Sequence, residues 1–388
     1  MSDKKLNLIF VLQKHVSFKI GFLVNPIAGI GGKKGWKGTD LIEDAWEYFE
    51  GGEKYSFERV KKALSSLSSS LPLTFYYCDN PMGAEILEGY PFEKVLIYTP
   101  SEDRTAAQDT QRACQIFLEN EVDLILFVGG DGTARDVASV ITDKIPTLGI
   151  PSGVKMFSGC FLYHPQDLGE IMVDLVADEL VITAEDVMDV NEALFRENKV
   201  HATLFGHLMV PQKTGLIQGG KISSSVTSVE TYEVMALELK EEHSINDGIV
   251  VLGTGSTIYH VMKAMNIEKT LLGVDLFEDG KIVNRDINEA SLYELTKGKN
   301  ITIILTPIGG QGFLLGRGNQ QISSRVLINA KSTKFVILSS EQKLETIDQL
   351  ELDLDSPIDI PDIRNGYIKV LIAYHQYKLT KINIQNTD

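Results

Sequence analysis

Cysteine is scarce in this 388-residue sequence, and the three that occur, Cys78, Cys114 and Cys160, form no C-x-x-C pair. An odd number without that spacing argues against a disulfide framework and a thiolate zinc site, and is typical of a reducing compartment. Basic residues are also fewer than acidic ones: the sequence has 37 lysines and arginines and 53 aspartates and glutamates, for a formal net charge of −16. This balance argues against nucleic acid or an anionic membrane surface as the main partner, although it allows a local basic pocket for a phosphorylated ligand.

Long apolar runs and familiar catalytic motifs are missing too. No stretch reaches 18 apolar residues and the N-terminus has no A-x-A-like cleavage site, so the sequence predicts a cytoplasmic protein without a transmembrane segment. The glycine-rich segment 29–35 does not fit the Walker A pattern, and no G-x-G-x-x-G follows a predicted strand. Neither H-E-x-x-H nor G-x-S-x-G occurs. Any phosphate-binding loop must therefore have a different design.

The pattern of predicted elements changes near Pro151. Before it, predicted strands alternate with helices, which is typical of a doubly wound parallel sheet; after it, short segments between glycine or polar turns predict mainly strands. The predicted strands include 18–24, 73–77, 95–98, 124–128 and 147–150, and then 202–210, 231–239, 249–252, 271–277, 301–305 and 326–329. We expect an α/β plus all-β fold, with an α/β domain over 1–150, a β-rich domain over 151–335, and a C-terminal segment, 336–388, that returns to the N-terminal domain.

The most informative motif joins an apolar run to a glycine-rich loop. Residues 124–128 are all apolar, as in a strand covered on both faces. They are followed by Gly129, Gly130, Asp131, Gly132 and Thr133, and then by a predicted helix. The glycines let a ligand approach the backbone, and a helix N-terminus directs N–H groups at phosphate. Asp131 would repel that phosphate unless it accepts a proton from a hydroxyl or holds a metal; the alternative is a glycine-rich turn with Asp131 as the helix cap.

A second glycine-rich loop is predicted to face the first. It follows the predicted strand 18–24 and carries four candidate phosphate-binding residues, Asn25, Gly29, Gly31 and Gly32. Because ligands bind beyond the carboxyl ends of parallel strands, this loop and the Asp131 loop are expected to line one cleft.

A hydroxyl-rich loop follows the predicted strand 249–252 in the second domain. A helix is predicted to begin within it, so hydroxyls and backbone N–H groups are presented together, which suits ribose, adenine or phosphate. Helix capping would explain a single hydroxyl but not the cluster. The candidate substrate-binding residues of this loop are Thr254, Gly255, Ser256, Thr257 and Tyr259.

The order of these motifs resembles that of the ATP-dependent NAD kinases, and most of all their divergent ATP-NAD kinase-like branch, which includes the AcoX-type proteins. Gly-Gly-Asp-Gly-Thr at 129–133 is followed by Asn191-Glu192, and then by Asp-Gly-x-x-x-x-x-Thr-Gly-Ser-Thr-x-Tyr at 247–259. The resemblance extends from about Gly21 to the C-terminal region. It implies an α/β N-terminal domain, a β-rich C-terminal domain, a nucleotide between them, and a homo-oligomer, dimer or tetramer.

The resemblance also implies a reaction and a set of roles. ATP, as its Mg²⁺ complex, would phosphorylate a hydroxyl, which in NAD kinases is the 2′-OH of the adenosine ribose of NAD. Asp131 would accept the proton of that hydroxyl. Asn191 and Glu192 match the pair that binds the ribose and base of the dinucleotide, with Asp189 as a rival acid. A solvated strand edge is the alternative interpretation of these three residues.

The sequence departs from the usual NAD kinase pattern at three places. Arg135 stands where apolar residues are usual, and the segment 149–156 is more similar to the corresponding loop of diacylglycerol-type kinases. Lys155 in that segment is either a phosphate ligand or an exposed lysine. A glycine-rich segment, 309–321, offers Arg317 and Asn319 as the wall of a polar ligand site. The prediction is a small-molecule kinase with NAD as the first acceptor; the alternatives are a kinase for a nucleoside, sugar or polyol, and a non-catalytic nucleotide sensor.

Overall fold

The computed structural model describes residues 17–35, 45–153, 156–190, 202–213, 215–217, 229–241, 245, 248–308 and 311–383. Its first sheet consists of β1 (Phe18–Val24), β2 (Leu73–Cys78), β3 (Glu93–Tyr98), β4 (Leu124–Gly129) and β5 (Thr147–Pro151). These strands are all parallel and lie in the order β3-β2-β1-β4-β5. Every residue of β4 is buried, as its unbroken apolar run predicts.

Helices connect these strands and bury apolar side chains in the same core. Val60, Phe117 and Val137, from three different helices, belong to one cluster with the sheet residues. The helices are α1 (Gly31–Lys34), α2 (Ala45–Glu50), α3 (Tyr55–Ser65), α4 (Ala84–Leu87), α5 (Ala107–Glu119), α6 (Asp131–Ile141) and α7 (Leu168–Val176). The predicted α/β architecture of the N-terminal domain is confirmed.

The strand order reverses between β1 and β4. From β1 the chain moves outward to β2 and β3, and it then returns to the other side of β1 to form β4 and β5. In open parallel sheets, ligands bind at such a reversal, beyond the carboxyl ends of the two strands. The loops that begin at Asn25 and Gly130 leave from these two ends, so the topology puts both predicted loops side by side.

A mixed nine-stranded sheet forms the C-terminal half. Its strands are β8 (Ile249–Leu252), β9 (Asp275–Glu278), β10 (Lys281–Asn284), β11 (Asn300–Leu305), β12 (Phe313–Leu315), β13 (Ser332–Leu338), β14 (Leu350–Leu352), β15 (Tyr367–Ala373) and β16 (Gln376–Asn383). They lie in the order β10-β9-β8-β11-β13-β15-β16-β14-β12. Between the two sheets in sequence, β6 (Val181–Val190) and β7 (Ala202–Gln212) form a separate antiparallel pair. The predicted β-rich second half is confirmed.

Two segments predicted to be strands are helices instead. Residues 231–239 lie in α8 (Val229–Glu241), where Met235, Ala236 and Leu239 are buried at the three- and four-residue spacing of one helix face. Residues 326–329 lie in α11 (Ser324–Asn329), whose first turn is capped by the Ser323 side chain. The remaining described helices of this half are α9 (Ser256–Ala264), α10 (Glu289–Thr296) and α12 (Glu341–Glu345).

The C-terminal strands lie in the second sheet. β15 pairs in parallel with β13 and antiparallel with β16, and Ile368, Val370 and Ile382 are buried in the core of this sheet. The predicted return of the segment 336–388 to the N-terminal domain is not made by β15 and β16, because these strands belong to the second sheet and their apolar side chains are buried in its core. Within the segment 336–388, acidic side chains of β14 and of the residues just after it contact the N-terminal half.

Candidate functional site

Asp131 is held by the backbone of another loop. It is the first residue of α6, and the cap position before it is Gly130, with no side-chain capping bond, so Asp131 is not the helix cap. Its Oδ2 accepts a hydrogen bond from the N–H of Phe157 (2.7 Å), and its Oδ1 accepts one from the N–H of Ser158 (2.9 Å). Hydrogen bonds from N–H groups favour the charged form of a carboxylate and fix its direction. The result is an oriented carboxylate at a helix N-terminus.

The structure brings the two predicted glycine-rich loops into contact. The side-chain amide of Asn25 donates a hydrogen bond to Oγ1 of Thr133 (3.0 Å), and the backbone N–H of Asn25 donates to the carbonyl of Val128 (2.9 Å). Thr133 is buried, whereas Asn25 and Asp131 are half-buried. The polar ends of β1 and β4 therefore form one surface beside the N-terminus of α6.

Two of the predicted glycines allow chain segments to touch each other. A Cβ atom on Gly29 would lie 2.1 Å from the carbonyl oxygen of Ser152, and one on Gly129 would lie 2.3 Å from Oγ1 of Thr133. Atoms cannot approach so closely, so both positions require glycine for close packing. At these two positions the space that a side chain would fill holds protein atoms, whereas the sequence pattern suggested room for a ligand.

Gly130 faces a glycine from the end of β5. A Cβ atom on Gly130 would lie 3.0 Å from Cα of Gly153, so the two backbones are in contact beside Asp131. The remaining predicted glycines lie nearby: Gly31 and Gly32 are buried in α1, and Gly132 is half-buried in the first turn of α6. The Asp131 loop is therefore fixed from two sides, by the loop after β1 and by the turn after β5.

Thr254 and Asn319, predicted as separate parts of the substrate site, are hydrogen-bonded to each other. The N–H of Thr254 donates to Oδ1 of Asn319 (2.8 Å), and the hydroxyl of Thr254 donates to the carbonyl of Gly318 (3.1 Å). The amide nitrogen of Asn319 donates to the carbonyl of Leu314 (2.8 Å). Both side chains are fully buried. They support the shape of the hydroxyl-rich loop from inside the protein.

Ser256 is the exposed hydroxyl of that loop. It begins α9, while Thr257 is buried and Tyr259 is half-buried with its ring edge against His260 (5.3 Å between centroids). Gly255 precedes the helix with φ of +123°, which a residue with a side chain rarely adopts. Among the three predicted hydroxyls, Ser256 is therefore the one placed to contact a ligand directly.

A small apolar cluster connects the Asp131 loop to the hydroxyl-rich loop. It consists of Phe157 and Leu272, with Met188 and Leu271 packed against them. Phe157 also donates its N–H to Asp131, and Leu271 accepts a hydrogen bond from the N–H of Gly255 (3.0 Å). The sequence pattern did not predict this cluster or the role of residues 157 and 158, because they act through backbone amides that any residue carries.

Arg317 is buried between the two halves and does not line an open wall. Its Nη2 donates hydrogen bonds to the carbonyls of Leu162 (2.9 Å) and Tyr163, and its guanidinium lies 4.3 Å from the centre of the Phe313 ring. Burial lowers the pKa of Arg317 to about 10, although nearby Asp353 acts in the opposite direction. Arg317 therefore ties the segment after β12 to the N-terminal half.

Three predicted site residues lie outside the described residues: Lys155, Asn191 and Glu192. Asp189 is described through its backbone, which pairs with Thr203 in the β6–β7 sheet. The roles of these four residues stay predictions.

Within the described ranges, no group of three or more histidine, cysteine, aspartate and glutamate side chains is arranged to hold a metal ion. The same part of the chain contains no helix that is both long and apolar enough to cross a membrane. All three cysteines are buried, and burial raises the pKa of each thiol, that of Cys114 to about 12. Because the thiolate is the reactive form, these cysteines act as core side chains.

Asp167 gives the protein a pH-dependent stability. Its Oδ2 accepts a hydrogen bond from the N–H of His164 (2.7 Å). Burial raises the pKa of Asp167 to about 6, against the opposing influence of His164. Because this value lies above the ordinary 3.8, the folded protein binds a proton that the unfolded chain has released, and stability falls as pH rises from about 4 to about 6.

We therefore expect Asp167→Asn to raise the melting temperature at pH 8 and to change it little at pH 4. Asparagine accepts the same hydrogen bond without burying a charge, so the expected gain at pH 8 is about 1–2 kcal/mol. Thermal unfolding of both proteins at the two pH values measures this difference. Equal shifts at pH 8 and pH 4 would contradict it.

Family models agree with this arrangement. The ATP-NAD kinase N-terminal domain matches residues 20–180, and the ATP-NAD kinase C-terminal domain matches residues 245–382. Searches of curated proteins and of solved structures gave no significant match. The first match contains the Asp131 loop, and the second contains the hydroxyl-rich loop. The chain belongs to the ATP-NAD kinase-like family and has its two-domain fold.

Proposed function

We propose that the protein is a kinase that transfers the γ-phosphoryl group of ATP to a hydroxyl of a small molecule, with the 2′-OH of NAD as the first acceptor to test. The observation that carries this proposal is the carboxylate of Asp131, held by the N–H groups of Phe157 and Ser158 at the start of α6. The match of both halves to ATP-NAD kinase domains supports it.

Phosphoryl transfer depends on alignment and charge stabilisation more than on covalent chemistry by the protein. The N-terminus of α6 directs backbone N–H groups and the positive end of the helix dipole toward the Asp131 loop, which suits a phosphate of ATP. Asp131, in the same turn, would accept the proton of the attacking hydroxyl. The exposed hydroxyl of Ser256 would contact the acceptor, with Asn191 and Glu192 as further contacts implied by the family resemblance.

Magnesium would enter as part of the ATP complex. Mg²⁺ keeps several waters and is usually held by substrate phosphates and one or two carboxylates, so it does not need a cage of protein ligands. The carboxylate of Asp131, oriented by the N–H groups of Phe157 and Ser158, is an oxygen ligand of the kind that Mg²⁺ prefers, so it fits such a role. The ion would neutralise phosphate charge.

The proposal is tested by identifying the product of the purified protein. Incubation with MgATP and NAD is expected to give NADP, detected by mass as NAD plus one phosphoryl group and by a coupled NADP assay. Parallel reactions replace NAD with nucleosides, sugars, polyols or diacylglycerol, and ATP with polyphosphate. Calorimetric binding of ATP without any phosphorylated product, even at high enzyme concentration, would overturn the proposal in favour of a nucleotide sensor. A homo-oligomer, dimer or tetramer, stays a proposal based on the family resemblance, and a cytoplasmic location stays a proposal based on the sequence.

A further inference from the structure

Acidic and leucine residues alternate along β14 and the segment that follows it, as Leu350-Glu351-Leu352-Asp353-Leu354-Asp355. Alternate side chains of an extended chain point to the same side. The leucines face the core of the nine-stranded sheet. The three acids, here called the acidic strip, each contact a basic residue of the N-terminal half: Glu351 with His164 (3.0 Å), Asp353 with Arg59 (2.6 Å) and Asp355 with Lys33 (2.8 Å).

The central pair of the acidic strip is buried and joined by two hydrogen bonds. Arg59 donates two hydrogen bonds to Asp353, from Nη1 (2.6 Å) and Nη2 (2.8 Å), and both side chains are only 7% exposed. Burial would raise the pKa of Asp353, but the charge and hydrogen bonds of Arg59, helped by Arg317, lower it to about 2. By comparison, Lys33 and Asp355 are 49% and 41% exposed, and such surface pairs contribute little.

Arg59 connects Asp353 to the turn after β5. Its Nε donates a hydrogen bond to the carbonyl of Pro151 (2.8 Å), the last residue of that strand. All three of its nitrogens are thus fixed, two by the C-terminal half and one by the N-terminal half. Removing the carboxylate would leave a buried guanidinium without its partner, which strongly favours rearrangement.

The turn after β5 also contacts the Asp131 loop. The N–H groups of Ser152 and Gly153 both donate to the carbonyl of Gly129 (2.9 and 3.1 Å). Gly153 lies against Gly130, the residue before Asp131, so closely that a Cβ on Gly153 would be 2.8 Å from Cα of Gly130. An unbroken series of contacts therefore runs from the C-terminal half to Asp131.

We propose that Asp353 is a positioning residue, which acts through Arg59 to hold the Pro151–Gly153 turn against the Asp131 loop. The docked C-terminal sheet thereby holds in place the loop that carries the carboxylate proposed to accept the hydroxyl proton. The catalytic part of this inference rests on the proposed kinase activity, whereas the mechanical part does not. Misplacing a reacting group affects turnover more than binding, so kcat is the parameter that depends on Asp353.

The first experiment is hydrogen exchange on the full-length protein, which requires no activity. In Asp353→Asn, the amides of Ser152 and Gly153 are expected to exchange about tenfold faster, while amides of β11 stay within about twofold of wild type. Glu50→Gln is the matched control, because Arg104 also donates two hydrogen bonds to Glu50 (2.8 and 2.9 Å), but on the surface. No change at Ser152 and Gly153, or equal acceleration in β11, would overturn the proposal.

The second experiment measures turnover with MgATP and the acceptor identified above. Asp353→Asn is expected to lower kcat about 10–100-fold with KM values within about threefold, and Asp353→Glu, which keeps the charge, is expected to restore part of kcat. In an Arg59→Met background, Asp353→Asn should lower kcat no further, because the connection is already broken. Additive losses would overturn the positioning role. If Asp353→Asn does not fold, Asp353→Glu is used in both experiments, with smaller changes expected at the same sites.

If the protein proves not to be a kinase, the exchange result still decides whether Asp353 holds the turn. If it is a kinase and the exchange of Ser152 and Gly153 does not respond to Asp353, the positioning inference fails while the proposed function stands.

Discussion

Replacing Asp131 with asparagine is expected to lower kcat for phosphoryl transfer by about 10²–10⁴-fold, the usual contribution of a general base. An amide cannot accept the proton of the acceptor hydroxyl. It also places an NH₂ group against the N–H of Phe157 or Ser158, where a carboxylate oxygen now accepts a bond. That mismatch is expected to destabilise the protein by about 1–3 kcal/mol. Initial rates with MgATP and the identified acceptor measure the first effect, and chemical denaturation measures the second.

The control for Asp131→Asn is Asp143→Asn, the same change at an exposed acid just after α6. It should leave both kcat and stability close to wild type. A folded Asp131→Asn protein with kcat within about threefold of wild type would exclude Asp131 as the base, since general-base catalysis contributes far more than that.

Replacing Gly29 with alanine is expected to reduce the free energy of unfolding by about 2–5 kcal/mol, from the left-handed backbone and from overpacking together. The backbone at Gly29 has φ of +85°, and the new methyl group would lie 2.1 Å from the carbonyl oxygen of Ser152 and 2.3 Å from the Tyr55 ring. A displaced Ser152 would move Gly153 relative to Gly130, so kcat should fall as well. Urea denaturation and initial rates measure the two effects.

Gly280→Ala separates the two causes. Gly280 has nearly the same φ, +80°, but no atom lies within 4 Å of its expected Cβ position. In this variant the free energy of unfolding should fall by about 1–2 kcal/mol, the cost of the left-handed backbone alone, and activity should stay at the wild-type level. Equal destabilisation by the two substitutions would contradict the close packing of Gly29 against the turn after β5.

Local sequence pattern was sufficient to predict the first sheet. The apolar run at 124–128 and the alternation of strands with helices predicted β4 and its neighbours, because burial on both faces leaves a clear signal in the sequence. Local sequence pattern was insufficient for residues 231–239, which were predicted as one of the short strands between glycine or polar turns. Their burial at helical spacing against the nine-stranded sheet decided the outcome, and that sheet is assembled from distant parts of the chain.

The candidate site was predictable to the extent that topology determines it. The carboxyl ends of β1 and β4 must be adjacent once the strand order reverses there, so the contact between Asn25 and Thr133 follows from the fold class. The partners of Asp131 were not predictable, since the N–H groups of residues 157 and 158 carry no side-chain signature. The buried roles of Arg317 and Asn319 were hidden for a related reason, because polar residues in a glycine-rich segment suggest an open ligand wall until their partners are known.

The acidic strip is visible in the sequence. Strict alternation of acid and leucine over 350–355 predicts an extended segment with one apolar face and one acidic face. Acids beside a core need polar partners, and basic residues at three distant positions in the N-terminal half supply them. The pattern could have identified the contact surface, but not the residues across it.

Because all three cysteines are buried, the native protein is expected to react little with thiol-labelling reagents. Maleimides and similar reagents require an accessible thiolate, and these thiols are neither accessible nor readily ionised. A cysteine introduced in place of the exposed Ser256 would therefore be labelled selectively, without first removing the natural ones. A fluorophore there would test whether a ligand binds beside the hydroxyl-rich loop, before any product has been identified.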